Sequence, residues 1–190
     1  MSLPHAILTS LLEKPGSGAE LAQRFDKSIG YFWQATHQQI YRELARLEER
    51  GLIRSAAREA TRGRKRDFAV IPAGLAELER WTSLAQDPQP VRDALLVRLR
   101  AAAVIQAGTV QADTARAGIL RAELARHREL HQRQLSFYQA VEAHDFAAGS
   151  EARAPGTPDH RLQHAVLRAG IMFERAWVSW AEETLRTLEP

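Results

Sequence analysis

Apolar positions recur at helical spacing through most of the chain. Ile7, Leu8, Leu11 and Leu12 predict a short helix over residues 6–13, stopped by Pro15-Gly16-Ser17-Gly18. Leu21 and Phe25, four apart, predict a second helix over residues 20–25. Ile40, Leu44 and Leu47 fall at i, i+4 and i+7 and so share one face of a third helix over residues 36–50. Thr36 is suited to cap its start, and Gly51 stands where a C-terminal glycine closes a helix. The period then changes. LIRSAA (52–57) and RDFAV (66–70) have the character of two strands, joined by REATRGRK with Gly63 in the turn. Pro72 opens a fourth helix at the position where proline is tolerated, and the pattern continues to residue 84.

After the QDPQP punctuation around Pro88 and Pro90 every segment has helical spacing. Residues 91–106 carry Leu95, Leu96, Leu99 and Ile105. Residues 109–144 form a long helix, with Gly118 as a candidate break. A Gly/Ser/Pro-rich loop spans residues 149–158, and the last helix, 158–188, carries Leu162, Val166, Met172, Phe173, Trp177 and Trp180. Such lengths exceed what a small helical core needs and suit packing against a second chain. Leu120, Leu124, His127, His131, Gln134, Tyr138 and Val141 alternate by four and three, a coiled-coil seam with a polar middle. The expected division is residues 1–87 and residues 88–190.

Composition narrows the chemistry. The chain has 190 residues, 45% of them hydrophobic, enough for a packed core. It contains no cysteine, which excludes disulfides, thiol nucleophiles and cysteine-ligated zinc. The opening MSLPHAILTSLLEKPG makes a poor signal peptide, and no apolar run approaches the roughly 18 residues of a membrane span, so a cytoplasmic location is expected. P-loop, GxSxG, HExxH and GxGxxG patterns are absent, and an enzyme is not expected. His127 and His131, like His160 and His164, are four apart, but with no third-ligand motif beside them neither a metal nor another cofactor is expected.

Net charge is only +3, and its distribution is more informative. Between residues 42 and 66 nine basic side chains face four acids. On the third helix the face opposite Ile40, Leu44 and Leu47 presents Gln38, Arg42, Ala45, Arg46 and Glu49, flanked by Gln39 and Tyr41. Three short helices in this order suggest a helix-turn-helix, whose recognition helix uses its first residues, here Thr36, His37, Gln38 and Gln39, near base edges. Glutamine pairs with adenine and arginine with guanine, while Arg46, further along, suits a phosphate. Arg62, Gly63, Arg64, Lys65 and Arg66 cluster at the hairpin tip, where positive side chains can grip phosphates or enter a minor groove. Arginines on one helix face are commonly just solvated. A basic hairpin directly downstream favours double-stranded DNA as the partner.

These residues resemble the PadR family of bacterial winged-helix regulators. The resemblance rests on FWQATHQQIYREL (32–44), ARLEERGLI (45–53) and PQPVRDALLV (88–97). MSLPHAILTSLL, SIGYFWQATHQQIYREL and ERAWVSWAEETL (174–185) are similar to its virulence-gene activator subgroup. The resemblance implies a mainly α fold, with an N-terminal winged helix-turn-helix of three helices plus a β-hairpin wing. Behind it would lie a C-terminal helical, antiparallel coiled-coil dimerisation domain. It implies a homodimeric transcription regulator on a partly palindromic site, with Gln38, Gln39, Tyr41 and Arg42 in the recognition helix and Arg64–Arg66 in the wing. Leu120, Leu124, His127, His131, Tyr138, Val141, Phe173, Trp177 and Trp180 are the expected dimerisation residues. Some members of the family bind a small aromatic effector in the dimer cleft, on which Trp177 and Trp180 could stack, and a ligand-responsive repressor is the alternative expectation. A second transcription factor is a further candidate partner. Two departures stand out: the wing is shorter than is usual in the family, and Ile71 stands where a capping threonine is expected.

Overall fold

A computed structural model describes residues 3–27, 35–57, 66–107, 114–147 and 158–188. The chain divides into two compact units, Met1–Pro88 and Gln89–Pro190.

The first unit contains α1 (Leu3–Glu13), β1 (Gly16–Ser17), α2 (Gly18–Lys27), α3 (His37–Glu49), β2 (Ile53–Ala57), β3 (Arg66–Val70) and α4 (Pro72–Thr82). Ile7, Leu8, Leu11, Leu21, Phe25, Ile40, Leu44 and Leu47 are all at most 1% exposed, so the three expected helices meet on their apolar faces. The strands form an antiparallel sheet in the order β1-β3-β2, with Ile53 opposite Val70 and Ser55 opposite Phe68. The segment after α1, expected only as a stop, supplies β1, where Gly16 pairs with Phe68.

Local chemistry sets the element ends. Ser17 and Glu20 form a reciprocal box at the start of α2: Glu20 Oε2 accepts from Ser17 N at 2.8 Å, and Ser17 Oγ accepts from Glu20 N at 3.3 Å. Thr36 and Gln39 do the same for α3. Gly51, at φ 67°, ends α3 in a Schellman motif, with Gly51 N donating to Glu48 O and Leu52 N to Leu47 O, each at 2.9 Å. Ile71 caps α4 with no side-chain hydrogen bond, and Pro72 fixes the first helical residue instead. Gly74 lies so close to β2 that a Cβ there would fall on the Leu52 carbonyl oxygen. His5 ties α1 to α4, bonding Glu77 Oε1 at 3.1 Å and stacking on Trp81 at 4.4 Å.

The second unit is α5 (Ala94–Ala107), α6 (Thr114–Asp145) and α7 (Pro158–Thr187). α6 runs through Gly118 without the break the glycine suggested. Contacts descend along α7 as they ascend α6, so the two are antiparallel: Leu124 clusters with Ala181, His131 bonds Glu174, Tyr138 covers Gly170, and Glu142 bonds His164. Leu95 and Leu99 of α5 join the Leu124–Ala181 cluster. Part of the 4-3 seam expected to meet a second chain is thus covered within the chain. Leu124 and Tyr138 are buried, Leu120, His127, His131 and Val141 are half-buried, and Leu124, His131 and Tyr138 meet α7 of the same chain. A heptad stripe specifies that it is buried, and the next helix along the chain offers an apolar stripe to bury it. No helix among the described residues is long and apolar enough to cross a membrane.

Gly74→Ala should destabilise the first unit by about 1–3 kcal/mol, because the methyl group meets backbone carbonyl rather than a movable side chain. Urea unfolding followed by far-ultraviolet circular dichroism measures it.

Candidate nucleic-acid interface

The geometry of α3 follows from its buried stripe. With Ile40, Leu44 and Leu47 held in the core, Gln38, Tyr41, Arg42, Ala45, Arg46 and Glu49 lie on the outward side, and all six are exposed. Thr36 and His37 stand at its start, His37 exposed. Gln39 lies in the first turn as expected, but its Oε1 is engaged, accepting from Thr36 N at 2.8 Å and Thr36 Oγ1 at 3.2 Å. Only its amide nitrogen remains for an adenine edge, so Gln38 is the better placed of the two glutamines. Arg46 Nη1 lies 3.4 Å from Glu43 Oε2, an exposed i,i+3 pair that is easily exchanged for a phosphate. Tyr41, half exposed, lies against Gly18 at the start of α2.

The strands continue the basic surface. Arg50, Arg54 and Arg66 are exposed on the α3 C-cap, β2 and β3. The hairpin-tip residues Arg62, Gly63, Arg64 and Lys65 lie outside the described residues. Glu48, which in the sequence only lowered the local charge, proves to hold the base of the hairpin to α3. Its Oε1 accepts from Ser55 N at 3.1 Å and Ser55 Oγ at 2.5 Å, and its Oε2 faces Arg66 Nη1 at 4.0 Å. The Ser55 hydroxyl above all, then the Ser55 amide and the Arg66 charge, hold the Glu48 carboxyl below its ordinary range against the opposing effect of burial. No sequence signal marks such a pairing seven residues apart across a glycine turn.

In the second unit the polar middle of the seam is an aromatic and carboxylate cluster. His131 Nδ1 lies 2.5 Å from Glu174 Oε2, and its ring stacks on Trp177 at 4.7 Å. Trp177 meets Trp180 edge-on at 4.9 Å. His127 pairs with its own helix neighbour Glu123 at 3.4 Å. Phe173 stays 56% exposed. Among the described residues no group of three or more histidine and acidic side chains is arranged to hold a metal ion.

Comparison with known proteins matches both units. Residues 7–80 fit the profile of the transcriptional regulator PadR-like family, and residues 91–189 fit that of the virulence activator alpha C-terminal region. The chain is 38% identical to the probable transcriptional regulator Rv1176c of Mycobacterium tuberculosis (strain ATCC 25618 / H37Rv), over all of this chain and 98% of the relative. The chain belongs to the PadR-like family of transcriptional regulators. Its fold is accordingly the family's winged helix followed by a helical region. The solved virulence activator AphA of Vibrio cholerae is 33% identical, covers 98% of both chains and superposes with a TM-score of 0.72. Bacillus subtilis PadR, solved with operator DNA and with p-coumaric acid, is 24% identical over the full length of both chains, with TM-scores of 0.73 and 0.69, and shares the fold.

Because the Glu48 carboxyl is lowered in the folded protein, its tie stabilises the hairpin base above the ordinary carboxylate range and is lost as pH falls through the lowered value. The Ser55 amide proton should therefore show accelerated exchange and an upfield shift in the acid range. In Glu48→Gln that pH step should vanish, as nuclear magnetic resonance titration would show.

Proposed function

We propose that this member of the family binds double-stranded DNA sequence-specifically as a homodimer on a partly palindromic promoter site. Gln38 and Arg42 meet base edges, and Arg46 and the hairpin cations Arg62, Arg64, Lys65 and Arg66 hold phosphates. The observation that carries this is the outward row of α3. Burial of Ile40, Leu44 and Leu47 leaves amide and guanidinium groups on the exposed arc, at the end of the helix that enters a major groove in helix-turn-helix proteins. PadR of Bacillus subtilis, which shares the fold, was crystallised on its operator. Membership of a family of transcriptional regulators supports a regulatory rather than an enzymatic role.

Dimerisation is assigned to a second stripe on α7. Leu162, Val166, Ala169, Phe173 and Ala176 alternate by four and three, and all five are exposed. The opposite side of the same helix, with Ile171, Val178 and Ala181, is buried in the hairpin. A helix with two seams needs two partners, and the chain supplies one. α5 adds exposed Val97 and Val104, so a second copy would also cover its outer side. In this reading exposed Phe173 takes the dimerisation role expected of it, while Leu124, His131, Tyr138, Trp177 and Trp180 support it from inside each hairpin.

Arg42→Ala should weaken binding to the selected site by about 1–3 kcal/mol while the dimer persists, measured by fluorescence anisotropy on a duplex chosen from a random pool. Unchanged affinity removes Arg42 from the interface. Replacing Arg64, Lys65 and Arg66 together by alanine should weaken binding to all duplexes. It should also flatten the dependence on salt, by about one unit for each phosphate that is no longer neutralised. Phe173→Glu should shift sedimentation from dimer to monomer, and a persistent dimer would place the interface elsewhere.

A further inference from the structure

Gly18 is the first residue of α2, and Tyr41 stands one turn into α3, three residues after Gln38 and next to Arg42. The Tyr41 ring lies on Gly18 so closely that a Cβ there would overlap Cε1 and stand 3.0 Å from Cδ1 and 3.1 Å from Cζ. The backbone at this point has little room to yield. Ser17 and Glu20 close the helix start with three hydrogen bonds, of 2.8, 2.9 and 3.3 Å. Leu21, Ala22 and Phe25 anchor α2 in the core just beyond. The ring is the part that can move, since Tyr41 is 50% exposed.

We propose that Gly18 is a positioning residue for recognition, whose missing side chain seats the Tyr41 ring on the first turn of α2. This rests on the assignment of the outward face of α3 to DNA. A seated ring holds the phenol beside Gln38 and Arg42 in one orientation before DNA arrives, so ordering it costs nothing on binding. A methyl group at position 18 lifts the ring off its seat and leaves the core untouched. The substitution therefore separates positioning from stability. Alanine is favoured over glycine within a helix, and Gly18 has no positive φ to lose.

The test is a double-mutant cycle on a duplex selected by the wild-type protein from a random pool, with thermal unfolding recorded for each variant. Gly18→Ala is expected to keep or raise the melting temperature while binding at least about threefold more weakly. In the Tyr41→Ala background the same change should cost nothing further. Wild-type affinity in Gly18→Ala, or an equal loss with and without Tyr41, overturns the proposal. Should Gly18→Ala lower the melting temperature, the double variant decides: recovery to the Tyr41→Ala value supports action through the ring, and no recovery overturns it. A wild-type protein that selects no duplex at all refutes the DNA assignment itself, and the positioning role falls with it.

Discussion

Burial of a single stripe, Ile40–Leu44–Leu47, is the contact on which the functional surface depends. Those three side chains meet α1 and α2 in the core of the first unit and fix the rotation of α3 about its own axis. Once that rotation is set, the identity of the outward residues follows from helical geometry alone. Truncating one of these side chains to alanine would leave a cavity costing about 2–5 kcal/mol, a large part of the stability of a small domain. The devices around the helix preserve the same setting. A capping box starts it, a Schellman turn at Gly51 stops it, and Glu48 carries its orientation into the hairpin through Ser55 and Arg66.

The second unit uses burial differently. α6 and α7 satisfy one another along a seam whose polar positions are paired across the two helices: His131 with Glu174, and Glu142 with His164 and Arg168. The His164 hydrogen bond, followed by the Arg168 charge, holds the Glu142 carboxyl below its ordinary range. Polar pairs of this kind contribute less than apolar contacts but fix register, because a slip of one turn would leave carboxylates unpaired. A hairpin locked in register presents its remaining apolar stripe as a fixed surface, which is what pairing with an identical copy requires.

Most of the architecture was legible in the sequence. The helices of both units, the hairpin strands and the Thr36 and Gly51 boundaries all follow from periodicity and end signals, because each is local. What was not legible is non-local. The heptad at Leu120–Val141 announces a buried stripe without saying which chain buries it, and at Leu124, His131 and Tyr138 the covering residues belong to α7 of the same chain. The Glu48–Ser55 tie and the Gly18–Tyr41 contact join residues whose spacing carries no periodic signal. The first-turn position of Gln39 is legible too, but its role as cap partner competes with base contact for the same oxygen. The Gly16–Ser17 strand is too short to register as anything but a turn.

In the proposed complex two copies of one exposed α3 face, paired through their helical units, lie together on DNA. Hydroxyl-radical footprinting on a selected duplex tests it most directly. Two protected patches related by approximate two-fold symmetry are expected, with centres about 10–10.5 base pairs or a multiple apart. A single patch, or uniform cleavage along the duplex at saturating protein, would contradict it.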